Sequence, residues 1–133
     1  MELRCTIYTR TEKQRLSDGG SIAEGIGLGR VTAIIEDIKI DRPYLIPDEE
    51  AIPILFDLLE HEGLCLGGSS AINVAGAIRL GKDLGPGHTI VTVLCDYGTR
   101  CLSKLFNPSF LRSKNLPVPG WLERKMSGQP ILG

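Results

Sequence analysis

Residues 61–80, HEGLCLGGSSAINVAGAIRL, join a short apolar run to a helix-like segment through two glycines and two serines. The run at 64–66, LCL, predicts a very short buried strand. Ser69 or Ser70 is predicted to cap a helix over about 70–82, because hydroxyl side chains accept hydrogen bonds from the first free amides of a helix. That helix is apolar on nearly all sides, so we expect it to be buried, with its small residues packed closely against a sheet.

The segments on either side predict a second helix and a strand. IPDEEAIPILFDLLEHEG at 46–63 predicts a helix with acids in its first turn, Gly63 as its C-terminal stop, and Pro53 as its start or a kink. Its apolar face is formed by Ile52, Leu55, Phe56 and Leu59. TIVTVLC, within 85–98, is continuous and β-branched, as in strands covered on both faces of a parallel sheet.

These elements alternate along the chain, which predicts an α/β fold, a three-layer sandwich with a mainly parallel sheet. A short helix is predicted over 99–106, and RVTAIIEDIKI at 30–40 fits a strand or a short helix equally well. We expect residues 1–133 to form a single partial domain whose proline-rich end, 108–133, wraps the surface. Ligands in such sheets bind beyond the carboxyl ends of the strands. The segments 67–70 and 96–98 are therefore predicted to face the same crevice.

Composition excludes several classes of function. The 133 residues carry a net charge of -1 with acids and bases interspersed, which matches neither a nucleic-acid-binding protein nor a polybasic membrane patch. No apolar run is long enough to span a bilayer, and the first residues do not resemble a targeting peptide, so a cytoplasmic location is expected. The four cysteines lack the spacing of metal ligands, and Cys65 and Cys95 are expected in the core.

Three separate motifs resemble one enzyme family. They are GSIAEGIGLGR at 20–30, DEEAIPILFDLLEHEGLCLGGSSAINVAGAIRLGKDLGPGHTIVTVLCDYGTRCLSKLFN at 48–107, and PVPGWL at 117–122. Together they resemble the C-terminal part of cysteine synthase and, more broadly, the cystathionine beta-synthase group of fold-type II pyridoxal-phosphate enzymes. The resemblance runs from about Tyr8 to Leu122. It implies β-replacement of O-acetylserine by sulfide to give cysteine, with an amino acid as substrate.

The resemblance also assigns roles to individual residues. It implies that Ser69 hydrogen-bonds the pyridine nitrogen of pyridoxal phosphate and that Asp96 lies near the same ring. Gly25, Ile26 and Gly27 match a loop that lines the cofactor pocket, and Glu24 is placed beside the substrate. Each residue also has a plain structural reading: helix caps for Ser69, Ser70 and Asp96, turns for Gly25 and Gly27, and a solvated acid for Glu24.

A serine at the ring nitrogen would indicate which class of reaction the cofactor catalyses. A neutral hydroxyl can donate to an unprotonated nitrogen, which makes the ring a weaker electron sink than an aspartate partner would. That suits β-elimination and addition better than transamination. The chain departs from the family pattern at Ala71, where close relatives have glycine.

The Schiff-base lysine and the glycine-rich phosphate loop of the family have no counterpart in this sequence. The lysines in polar or helix-surface contexts are Lys13, Lys39, Lys82, Lys104, Lys114 and Lys125. We therefore expect no catalytic residue in this chain and no activity of the chain alone.

Three functions remain open: part of a cysteine synthase-like enzyme, a non-catalytic module that self-associates or pairs with a full-length relative, and an unrelated nucleotide-binding domain. The last is ranked lowest because no GxGxxG fingerprint follows a first strand.

Overall fold

A computed structural model describes residues 4–5, 21–23 and 40–123 of the chain. Strand β1, Arg4–Cys5, pairs antiparallel with strand β2, Ile46–Pro47, with Arg4 opposite Pro47 and Cys5 opposite Ile46. Strand β2 leads directly into the first helix, so the pair holds the N-terminal end of that helix. The interpretation of 30–40 and the role of the 24–27 loop lie outside the described residues.

Helix α1, Asp48–Glu62, matches the helix predicted from its apolar face. Asp48, Glu49 and Glu50 occupy its first turn, where the helix dipole favours negative charge, and Pro53 lies inside the helix rather than at its start. Gly63 ends the helix in the left-handed conformation, with φ of 68°, and the next amide bonds back to the Leu58 carbonyl at 3.0 Å. The predicted stop is confirmed.

Helix α2, Gly68–Leu84, packs against α1. The small residues Ala71 and Ala75 are fully buried in this contact, so they bring two helices together and not, as predicted, a helix and a sheet. Toward the C-terminal end of α2 the same face is uncovered, because Ile78, about two helical turns after Ala71, is exposed. The expectation of a helix buried on all sides is therefore wrong.

A polar clamp ties α2 to the chain entering α1. Arg79 Nε donates to Glu50 Oε1 at 2.9 Å, and its Nη1 donates to the Leu45 carbonyl at 2.9 Å. One turn further on, Asp83 accepts a hydrogen bond from the Tyr44 hydroxyl. These contacts join the two helices, although partly exposed ion pairs contribute only about 0–1 kcal/mol to stability.

The predicted strand over TIVTVLC has no regular secondary structure and forms no sheet pairing with any described residue. The only pairing near it within the described ranges is a single antiparallel bridge between Leu66 and Tyr97. A strand needs a neighbouring backbone to become part of a sheet. The described part of the chain is mostly helical, and because the predicted strand is unpaired there, it does not display the predicted sandwich with a parallel sheet.

The C-terminal segment packs back onto α1. A 3-10 turn, Gly98–Cys101, leads into helix α3, Leu102–Leu105, then α4, Pro108–Ser113, and α5, Gly120–Glu123. Asn107 caps α4 by accepting from the amides of Ser109 and Phe110 at 3.1 and 3.2 Å.

Phe56 on α1 makes edge-to-face contacts with Phe106 and Trp121, at centroid distances of 6.1 and 5.7 Å. The core of the described residues comprises Ile22, Ala23, Ile46, Ala51, Ile52, Leu55, Phe56, Ala71, Ile72, Ala75, Leu105, Leu111 and Leu116.

Candidate functional site

The candidate site begins where the chain turns into α2. Gly67 is the N-cap residue, with an extended backbone, and the amides of Ser70 and Ala71 donate to its carbonyl at 3.1 and 3.4 Å. No side chain caps the helix, so the prediction that Ser69 or Ser70 is the N-cap is wrong. The helix starts earlier because Gly67 itself adopts the cap conformation. Both serine side chains are thereby free for other contacts.

Ser69 meets the loop that follows TIVTVLC. Its hydroxyl donates to Asp96 Oδ1 at 2.9 Å, and the Gly67 amide donates to the Asp96 carbonyl at 2.9 Å. The two segments predicted to face one crevice therefore lie side by side. Asp96 does not cap the 3-10 turn, whose N-cap residue is Tyr97 without a side-chain hydrogen bond.

Gly67 makes the close approach of Asp96 possible. A Cβ on Gly67 would lie 2.3 Å from Asp96 Oδ1 and 2.6 Å from Oδ2. Because the first turn of α2 carries no acidic residue of its own, the Asp96 carboxylate supplies the negative charge that a helix N-terminus favours. The carboxylate thus lies against the first residues of the helix, beside the Ser69 hydroxyl.

Ser70 holds the same loop from inside. Its side chain is fully buried, and its hydroxyl accepts a hydrogen bond from the Cys95 amide at 2.9 Å. Sequence reasoning gave Ser70 only a capping role. Its burial three residues after the Gly67 cap follows from the helix start, which the sequence alone placed too late.

The other side of the loop is anchored by Gly98. Its amide donates to the Cys65 carbonyl at 3.0 Å, and a Cβ there would lie 2.6 Å from the Leu66 carbonyl oxygen. Further along α2, Asn73 Nδ2 donates to the Val93 carbonyl at 2.9 Å and lies 3.3 Å from Cys95 Sγ. Cys95 is exposed, so its predicted place in the core is wrong, and Cys65 is only partly buried.

A short segment, residues 21–23, lies against the start of α2. Ala23 Cβ lies 3.0 Å from the position that a Cβ on Gly68 would occupy. Asp48, which is 3% exposed at the start of α1, accepts hydrogen bonds from Ser21 Oγ at 2.7 Å and from the Ile22 amide at 2.9 Å. The candidate residues that follow lie outside the described residues: Glu24, Gly25, Ile26 and Gly27.

The Ser69 hydroxyl has one rotatable proton, which here goes to Asp96 and which could turn instead to a heteroaromatic nitrogen, whereas an ionised Asp96 carboxylate only accepts hydrogen bonds. The Ser69 hydroxyl would therefore fit the ring-nitrogen side of pyridoxal phosphate. Within the described residues, no cluster of three or more histidines, cysteines or acids could hold a metal ion. Nor is any helix in the described ranges long and apolar enough to cross a membrane.

Comparison with known proteins decides the family. The model of the family "Pyridoxal-phosphate dependent enzyme" matches residues 4–96. This chain belongs to that family. The chain is 50% identical over 121 residues to cysteine synthase 2 of Schizosaccharomyces pombe. This alignment covers 88% of the chain and 31% of that protein.

Two further relatives extend the comparison. Cysteine synthase of Dictyostelium discoideum is 43% identical over 98 residues, 74% of this chain and 26% of that protein. The O-acetylserine dependent cystathionine beta-synthase of Bacillus subtilis is 33% identical over 81 residues, 61% of this chain and 26% of that protein. The predicted membership of the cysteine synthase group of pyridoxal-phosphate enzymes, a family with an α/β fold, is confirmed. The chain spans about 31% of the length of the first of these relatives.

Proposed function

We propose that this chain carries the ring-nitrogen side of a pyridoxal-phosphate site in a cysteine synthase-like enzyme, one that converts O-acetylserine and sulfide to cysteine. The observation that carries the proposal is the Ser69–Asp96 pair, held at the start of α2 by Gly67 and Ser70. It occurs in a chain that is 50% identical to a cysteine synthase.

The proposal divides the work between the chain's residues and the cofactor. When bound, pyridoxal phosphate supplies an electron sink for β-elimination and addition. Ser69 contacts the ring nitrogen, Asp96 lies behind Ser69, and Ser70 holds the loop that carries Asp96. Glu24, Gly25, Ile26 and Gly27 keep their proposed places along the cofactor and the amino-acid substrate. The three-layer sandwich with a parallel sheet is proposed for the whole fold-type II enzyme, in which residues 1–133 form one partial domain and 108–133 its wrapping tail.

The chain alone is proposed to be inactive, since it offers the cofactor no Schiff-base lysine and no glycine-rich phosphate loop. One hydrogen bond from Ser69 contributes about 1 kcal/mol, whereas retention at even 1 mM requires about 4 kcal/mol. We expect the 133-residue chain, mixed with pyridoxal phosphate, O-acetylserine and sulfide, to form no cysteine above the rate with free cofactor.

A hybrid enzyme provides the positive arm of this test. In the hybrid, this chain replaces the 121-residue matching segment of Schizosaccharomyces pombe cysteine synthase 2. We expect the hybrid to form cysteine. Activity of the isolated chain would contradict the proposed inactivity, and a folded, inactive hybrid that fails to bind the cofactor would contradict the proposed function.

A second candidate function, a non-catalytic module that pairs with a full-length relative, is favoured by the exposed apolar segment 90–94. Val91, Val93 and Leu94 are 88%, 65% and 47% exposed, and the segment lacks charged residues. An apolar, β-branched segment whose backbone is unpaired among the described residues can serve as a template for another strand. Because the chain spans only about 31% of the length of its relative, we propose that a strand from the remaining part of such an enzyme covers this segment.

Sedimentation tests this pairing. We expect the chain alone to self-associate through the uncovered segment, and the Val91→Lys/Val93→Lys variant to associate less, because charge on an edge strand opposes pairing. Ser109→Lys, an exposed substitution on α4, is the matched control and leaves association unchanged. A compact monomer of the unmodified chain, or equal association of both variants, would contradict the proposal. A cytoplasmic location stays a prediction.

A further inference from the structure

The Asp48 carboxylate joins the start of α1 to a segment 26 to 27 residues earlier in the chain. Its Oδ1 accepts from Ser21 Oγ at 2.7 Å, and its Oδ2 accepts from the Ile22 amide at 2.9 Å. An ionised carboxylate only accepts hydrogen bonds, so Ser21 must donate to Asp48 and keeps a lone pair for another donor. That donor is the Ala23 amide, at 3.0 Å, which closes a tight turn. One buried side chain therefore orients three consecutive residues.

The segment oriented in this way lies on the first turn of α2. Ile22 and Ala23 are both buried. Ala23 Cβ is 3.0 Å from the position that a Cβ on Gly68 would occupy, so the two segments approach as closely as a glycine allows. Gly68 directly precedes Ser69, whose hydroxyl is proposed to contact the cofactor. A shift of residues 21–23 would therefore uncover the start of α2 beside that hydroxyl.

We propose that Asp48 is a positioning residue of the site, an inference that rests on the proposed function. It sets where residues 21–23 lie on the first turn of α2, and it acts through Ser21 and Ile22 without contacting the cofactor or the substrate. A first-turn acid that met only the helix dipole could stay exposed, as Glu49 does, whereas burial of Asp48 is favourable only with its hydrogen bonds made.

Hydrogen exchange on the full 133-residue chain, followed by mass spectrometry, tests the contact without any cofactor. The variant is Asp48→Asn, which keeps the shape of the side chain but has one acceptor oxygen for two donors. We expect the amides of segments 21–23 and 67–71 to exchange about three- to tenfold faster, the factor for one lost hydrogen bond. The far end of α2, residues 80–84, should keep its exchange rate.

Three further variants separate positioning from general stability. Ser21→Ala removes one of the two bonds from the other side and should speed exchange in the same two segments. Glu49→Gln changes an exposed acid in the same turn and should change neither segment. Leu111→Ala removes a fully buried side chain from α4 and should not single out either segment. If Asp48→Asn and Ser21→Ala leave segment 67–71 unchanged, or speed every segment equally, the positioning role is overturned.

Kinetics of the hybrid enzyme then connect the contact to the reaction. We expect Asp48→Asn to lower kcat/KM for O-acetylserine about tenfold per bound cofactor, and Leu111→Ala to leave it unchanged. An active hybrid in which Asp48→Asn keeps the kcat/KM of the unmodified hybrid overturns this inference and leaves the proposed function standing. A folded, unmodified hybrid that binds no cofactor overturns the proposed function, and with it the role of Asp48 in the site.

Discussion

Replacing Asp48 by alanine should lower the free energy of unfolding by about 3 kcal/mol. Asp48 is 3% exposed and lies at the first position of α1, where its two oxygens accept hydrogen bonds from Ser21 Oγ and the Ile22 amide, at 2.7 and 2.9 Å. These bonds join residues 21–23 to the rest of the described core. Without the carboxylate, both donors lose their acceptor.

The magnitude follows from what each donor can do afterwards. Hydrogen bonds to a charged group contribute about 1.5–3 kcal/mol each. Ser21 is only half-buried and can turn its hydroxyl to water, so the loss of its hydrogen bond lies at the low end of this range. The Ile22 amide is buried and costs about 1–3 kcal/mol when left unsatisfied. The lost charge at the helix N-terminus adds about 0.3–1 kcal/mol.

Urea unfolding followed by circular dichroism measures this effect, at two protein concentrations so that self-association is detected. Glu49→Ala is the matched control, because Glu49 lies in the same turn, is exposed, and among the described residues interacts only with the helix dipole. Ser21→Ala should fall between the two variants. If Asp48→Ala and Glu49→Ala unfold at the same urea concentration with the same slope, the buried carboxylate holds nothing and the reasoning is refuted.

Three further predictions concern the loop, the clamp and the core. Gly98→Ala should lower the free energy of unfolding by about 1–3 kcal/mol, which is more than Gly67→Ala should in the same urea assay. The new methyl group meets a backbone carbonyl at 2.6 Å in Gly98→Ala, whereas in Gly67→Ala it meets a carboxylate that can rotate away. Equal losses would contradict this. Hydrogen bonding to Asp83, followed by desolvation and the Asp83 charge, raises the pKa of Tyr44 above the usual tyrosine value. The folded state therefore favours the neutral phenol, and the contribution of this pair is present at neutral pH and lost as the pH rises through the raised pKa; tyrosinate absorbance should appear at lower pH in Asp83→Ala, and an unchanged titration would speak against the contact. Trp121 Nε1 is buried without a hydrogen-bond partner among the described residues, so Trp121→Phe removes no hydrogen bond. We expect this variant to lose less free energy of unfolding than Trp121→Ala, for which about 3–5 kcal/mol is typical of a buried aromatic residue. Equal losses in the two variants would contradict this.

The helices were predictable because their signals are local. Acids in the first turn, an apolar face of period 3.6 and a glycine at the end place α1 almost to the residue. The start of α2 was placed two residues late, since a glycine in extended conformation can serve as N-cap as well as serine does. The proximity of segments 67–70 and 96–98 followed from a rule about where strands end, although the paired strands themselves are not displayed in the described residues. The hydrogen bond between Ser69 and Asp96 was not predicted.

The strand over TIVTVLC shows where a single sequence fails. A continuous β-branched run indicates a strand whose two faces are covered, but the covering residues and the neighbouring strand must come from elsewhere. Val91 and Val93 are instead exposed. Cys95 was assigned to the core for the same reason and is exposed with them. Asp48 was recognised only as a first-turn acid, because nothing in the sequence links it to Ser21.

The cofactor affinity and absorption spectrum of the hybrid enzyme carrying Ser69→Ala test the central claim most directly. If Ser69 contacts the ring nitrogen, this variant binds pyridoxal phosphate more weakly than the unmodified hybrid and its bound cofactor absorbs at a different wavelength, whereas Ser109→Ala changes neither. A Ser69→Ala hybrid with the affinity and spectrum of the unmodified hybrid would contradict the account.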